Sequence, residues 1–261
     1  MKKVELPNGS QSWSLSMSQY VLAAIANVES EIKKRGMYLP TKTRVPMYAN
    51  YDASLDKSEK LSDEDANYYQ SLIGILRWIL EMGIIDITTE TSILSLHVAN
   101  PRMGHFTELL RVFAYLKAHH NARIVFDPSY PDIDEAFNIC QDWSDFYRNE
   151  KEDLPANAPP SRGKEFIMRG YVDASFGRCK LTRKSRTGFI IFLNSAPVYY
   201  YSKKQGSCEI STFGSEFVAM KQCYEYVKGL RYKLRMMGIP VNNPAFIHGD
   251  NQSVLWNTTV P

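Results

Sequence analysis

Tyr171-Val172-Asp173-Ala174-Ser175-Phe176-Gly177 sets an aspartate inside a strand-like apolar run, and its reading decides the fold. A carboxylate in such a run is costly unless something compensates its charge. Two further acids stand in settings of their own. Glu216 opens a long amphipathic helix after Ile210-Ser211-Thr212-Phe213-Gly214-Ser215, where Ser211 or Thr212 is the expected cap. Asp250 ends the short run Ala245-Phe246-Ile247-His248-Gly249-Asp250, and Asn251 follows as a helix cap. Three converging carboxylates raise one another's pKa unless a divalent cation occupies the gap. Hard oxygen ligands of this kind suit Mg2+ or Mn2+, and a pair of such ions can activate water and stabilise a leaving oxygen in phosphodiester cleavage.

The composition is that of a globular chain, 44% hydrophobic and 23% charged, and 261 residues hold one large or two ordinary domains. No run has the length of a membrane span, and Met1-Lys2-Lys3-Val4-Glu5 is no signal peptide. Cys140, Cys179, Cys208 and Cys223 lack paired zinc spacing and read as reduced thiols of an intracellular protein. The net charge of +3 hides an asymmetry. Residues 161–261 carry 15 Lys or Arg against 6 Asp or Glu, which leaves 16 against 22 for residues 1–160. The basic part is also the part with the three acids. A polyanion held around an acidic metal site fits that combination.

Upstream, Val4–Leu6, Pro7-Asn8-Gly9 and Ser12–Ser16 read as a hairpin. Tyr20, Val21, Ala24, Ile25 and Val28 recur at helical spacing up to Lys33-Lys34-Arg35-Gly36. A polar loop over about 37–60 contains Tyr51-Asp52-Ala53-Ser54, which imitates the later Asp-Ala-Ser without a flanking strand. Ser62-Asp63-Glu64-Asp65 starts a helix bearing Tyr68, Tyr69, Leu72, Ile73, Leu76 and Ile79. Two more helices are expected, over about 89–99 and after Pro101, then a strand at Arg123–Phe126. His119-His120 close the last of these helices, at its negative end.

The order strand Asp, hairpin, helix-start Glu, strand-end Asp resembles the ribonuclease H domain of a retroelement polyprotein, copia-type retrotransposons most of all. The resemblance is carried by Tyr171–Ser175, Arg183-Lys184-Ser185-Arg186-Thr187-Gly188-Phe189, Ser202-Lys203-Lys204-Gln205, Gly214-Ser215-Glu216-Phe217-Val218-Ala219 and Asp250-Asn251-Gln252-Ser253. Upstream, Tyr69–Trp78 and Arg111–Lys117 resemble the segment joining reverse transcriptase to ribonuclease H. The opening hairpin resembles the region just downstream of the polymerase palm. The resemblance implies a mixed α/β chain: a connection segment over 1–130, a linker over 131–161, and a ribonuclease H-like domain over 162–261, incomplete at its C-terminus.

It also implies the chemistry. Asp173 would bridge two Mg2+ or Mn2+ ions, with Glu216 and Asp250 each holding one. A water would be activated to cleave the RNA strand of an RNA–DNA hybrid. Arg183, Lys184, Arg186, Lys203 and Lys204 would contact phosphates, and one or two of Tyr199-Tyr200-Tyr201 would stack on nucleic acid. Partners would be the hybrid and the rest of the Pol polyprotein, in a cytoplasmic particle or the nucleus, with no membrane. The Tyr-x-Asp-Asp of such polymerases is missing, and no adjacent Asp pair occurs, so DNA synthesis is not expected. The family's fourth acid and its His would lie beyond Pro261. The rival reading is a catalytically inactive nucleic-acid-binding remnant. An integrase or resolvase shares the arrangement, but the hairpin and Ser215-Glu216-Phe217 resemble ribonuclease H more closely.

Overall fold

The structure, a computed structural model, describes residues 1–41, 43–133, 142–148 and 154–259. It is a mixed α/β protein, with two sheets among the described residues. The chain forms two compact units: Met1–Phe126 with Cys179–Arg183, and Asp127–Arg178 with Lys184–Pro261.

In the first unit, β1 (Lys2–Glu5) and β2 (Gln11–Ser16) form the expected hairpin. Its turn needs Gly9, whose φ of +79° lies in the left-handed region, and Gly9 N–H donates to the Leu6 carbonyl at 2.9 Å. Helices α1 (Ser18–Lys34), α2 (Asp63–Glu81), α3 (Thr88–Ser95) and α4 (Met103–Ala118) follow, then β3 (Arg123–Phe126). Strand β3 pairs with β2, giving the order β1-β2-β3. The core joins Val21, Ile25, Val28 and Ile32 of α1 to the apolar stripes of α2 and α4. Tyr20, counted with that stripe from sequence, lies off it and is exposed. Helix α3 is shorter than its apolar run implied, ending at Ser95. Ser62 caps α2 by accepting from Asp65 N–H at 3.2 Å. Asp52 accepts from Ser54 N–H at the start of a single turn, Ala53–Leu55, so the imitation Asp-Ala-Ser is no strand.

In the second unit, a short helix, α5 (Ser144–Tyr147), precedes a meander of β4 (Met168–Ser175), β5 (Arg186–Leu193) and β6 (Ala196–Lys204). Helix α6 (Thr212–Met236) crosses over to β7 (Phe246–His248), and α7 (Gln252–Thr259) follows. The sheet order is β6-β5-β4-β7, with β7 parallel to β4 and the other pairs antiparallel. Helix α6 covers one face, where Met168, Val172, Ala174, Phe189 and Ile191 meet Ala219, Cys223, Val227 and Leu234. Gly170 permits this approach, because a Cβ there would lie 2.8 Å from Cys223 Sγ. Tyr199 and Tyr201 stack with Phe189 and Tyr226 on the helix side of β6, and Tyr200 alternates to the other side. Asn194 takes a positive φ of 53° in the β5–β6 turn, and its side chain accepts from Ile167 N–H and donates to the Pro128 carbonyl.

Candidate metal centre and nucleic-acid face

Strand alternation decides how Asp173 stands. Gly170, Val172 and Ala174 turn toward α6 and are buried, whereas Tyr171, Asp173 and Ser175 are exposed on the other parity. Asp173 therefore does not carry the burial cost that its apolar neighbours imply. That cost falls on Glu216, which is half-buried in the first turns of α6. Ser211 caps this helix, its Oγ accepting from Gly214 N–H at 3.1 Å, and so fixes where Glu216 emerges. Asp250 lies two residues past β7. Asn251 caps α7 behind it, accepting from Val254 N–H at 3.1 Å.

The three acids come together. Asp173, Glu216 and Asp250 each offer a carboxylate oxygen, and these oxygens all lie within 4.8 Å of one another. Desolvation and then the charge of Asp173 push the Glu216 carboxyl up to about 7. A backbone hydrogen bond from Ala174 opposes the rise, and Asp250 adds a smaller push. Three hard oxygen donors at this separation fit a small divalent cation such as Mg2+ or Mn2+. A cation there would also offset the repulsion from Asp173 and Asp250 that adds to this rise.

The basic residues divide. Ser175, Arg186 and Lys204 pair in one row across β4, β5 and β6, two residues along β4 from Asp173 and on its face. Lys203 pairs with Thr187, which pairs with Ala174, so it belongs to the opposite parity. The Lys184 ammonium donates to the Gly206 carbonyl. Arg183 takes a left-handed φ of 56° in the segment Cys179–Arg183, which clusters with the first unit.

Three histidines pack against or lie beside neighbouring side chains. His248 stacks on Tyr171 with ring centroids 4.8 Å apart, and burial holds its pKa below the usual imidazole range. His119 stacks on Tyr115, and His120 Nδ1 lies 2.8 Å from Ser18 Oγ. Burial pushes the Cys223 thiol up to about 12, and Cys140 lies outside the described residues.

A buried polar cluster beside the acids had no role assigned from sequence. Ser185, Thr187, Gln205 and Ser215 are all buried. Ser185 Oγ accepts from Gly177 N–H at 3.0 Å, and its carbonyl accepts from Gln205 N–H at 2.8 Å. The signal was present as a polar residue closing a strand ahead of Gly206, within a few residues of the next helix.

Sequence comparison adds context to this geometry. Over 237 residues the chain is 22% identical to the retrovirus-related Pol polyprotein from transposon RE1 of Arabidopsis thaliana. This chain is similar to part of a retrotransposon Pol polyprotein. The match covers 91% of the chain, hence more than the acid-bearing unit, but only 13% of the polyprotein. No protein-family model and no solved structure matches the chain. Among the described residues, no helix is long and apolar enough to cross a membrane.

Proposed function

We propose that this chain is a copia-type Pol segment whose second unit is a ribonuclease H-like domain, cleaving the RNA strand of RNA–DNA hybrids with Mg2+ or Mn2+. The observation that carries the reading is the convergence of Asp173 of β4, Glu216 of α6 and Asp250 of the β7–α7 turn to within 4.8 Å. The Pol similarity over 91% of the chain supports a retroelement setting. On this reading residues 1–130 are a connection segment, 131–161 a linker and 162–261 the nuclease domain. The remaining polyprotein is then its covalent partner, and the setting is intracellular.

Asp173, Glu216 and Asp250 would together hold the cations, each offering a carboxylate oxygen to the same small volume. When bound, the cations supply Lewis acidity, lowering the pKa of water and stabilising a departing 3′ oxygen. The chain's own part begins with a proton. Glu216 must release the one its neighbours help it keep, so its ligation is favoured as pH rises past about 7. Arg186 and Lys204 lie on the face of Asp173 and would steer the phosphate backbone toward it. Hybrid recognition then follows from groove shape and 2′-hydroxyl contacts.

The test is substrate choice. The same labelled RNA is offered single-stranded, in an RNA duplex and paired to DNA, with Mg2+. Cleavage confined to the hybrid supports the reading. Equal cleavage of all three would refute hybrid specificity, and salt-sensitive binding without cleavage would leave an inactive nucleic-acid-binding remnant.

A further inference from the structure

The reach of Gln205 is unusual for a residue at the end of a strand. It follows β6 directly, is 2% exposed, and bonds to two different elements through one side-chain nitrogen. Nε2 donates to Thr187 Oγ1 of β5 at 3.1 Å and to the Ser215 carbonyl of α6 at 2.9 Å. Thr187 pairs with Ala174, the residue after Asp173, and Ser215 directly precedes Glu216. A single buried amide thus ties the strand pair that carries one acid to the helix turn that carries another. Its backbone N–H is itself fixed to the Ser185 carbonyl, so the amide cannot drift along the strand.

We propose that Gln205 is a positioning residue for the carboxylate cluster, setting the separation of Glu216 from Asp173 without touching cation or substrate. This inference rests on the metal-centre reading above. Carboxylates that repel one another splay apart unless their backbones are held, and a fixed spacing is what a small cation requires. Partners that orient a ligand without binding metal affect metal affinity by about 10–100-fold when removed. A merely structural Gln205 would lower stability and leave the affinity of the folded protein alone.

The experiment measures Mn2+ affinity by titration calorimetry on the full chain, with folding followed by circular dichroism. Gln205→Met keeps the side chain's length and removes both donors. Thr187→Val removes one acceptor while keeping the strand's shape, and it decides the question if Gln205→Met does not fold. The expected result is about tenfold or greater weakening of Mn2+ binding in folded Gln205→Met, with a smaller weakening in Thr187→Val. Parental affinity in both folded variants would overturn the positioning role while leaving the metal centre standing. A parent that binds no Mn2+ would overturn the metal centre itself, and this inference with it.

Discussion

Replacing Glu216 by Gln should flatten the pH dependence of stability in the metal-free protein. Burial, followed by the charge of Asp173, raises this carboxyl from 4.5 to about 7. A group whose folded pKa lies above its unfolded value stabilises fully below the unfolded value. That contribution is lost as pH climbs through the folded one. The window is therefore pH 4.5 to about 7. Fully expressed, such a rise corresponds to about 3 kcal/mol, but Glu216 is only half-buried and solvent screening leaves about 1–1.5 kcal/mol. For a chain of this size that is roughly 2–5 °C of melting temperature. Scanning calorimetry in EDTA from pH 5 to pH 8 should show the parent losing that much more than Glu216→Gln. The difference between the two chains removes every other titrating group. Saturating Mg2+ should reverse the slope in the parent alone, because ligation needs the carboxylate. Parallel curves for the two chains in EDTA would refute the argument that Asp173 and Asp250 crowd Glu216.

Two other perturbations follow from the sheet. Lys204→Ala should weaken hybrid binding and lower the salt dependence of binding by about one unit of slope, whereas Lys203→Ala, on the opposite parity, should change it less. Fluorescence anisotropy at several salt concentrations separates them, and equal effects would argue against the assigned face. Gly170→Ala should cost about 1–3 kcal/mol in urea unfolding, since its Cβ would meet Cys223 Sγ at 2.8 Å. Adding Cys223→Ala should recover part of that loss, and a strictly additive double variant would show that the clash is not the cause.

The fold was legible wherever one segment's periodicity sufficed. The stripe Val21, Ile25, Val28, Ile32 and the capped start at Ser62 announce α1 and α2 within a single stretch of chain. The Pro7-Asn8-Gly9 turn announces its hairpin in the same way. Pairings between distant segments were less legible, because edge complementarity leaves no local pattern. Nothing in Arg123–Phe126 says that it joins β2. The acids were found because each sits at a distinctive local junction, yet their energetics were misjudged. Asp173 lies among apolar residues in sequence, but alternation exposes it, and the desolvated member is Glu216 in a polar helix turn. The basic residues read as one group in sequence, and only the β5–β6 register separates Lys204 from Lys203. Gln205 was hidden for a similar reason, since its two acceptors come from elements on either side of it in the chain.

The central claim is that Asp173, Glu216 and Asp250 together make a cation-dependent nuclease site. The most direct test incubates an RNA-labelled RNA–DNA hybrid with Mg2+ and either the parent or folded Asp173→Asn. The account predicts cleavage by the parent, none in EDTA, and a loss of at least about a hundredfold in the variant, as expected when a shared metal ligand is neutralised. Cleavage by Asp173→Asn at the parental rate would contradict it.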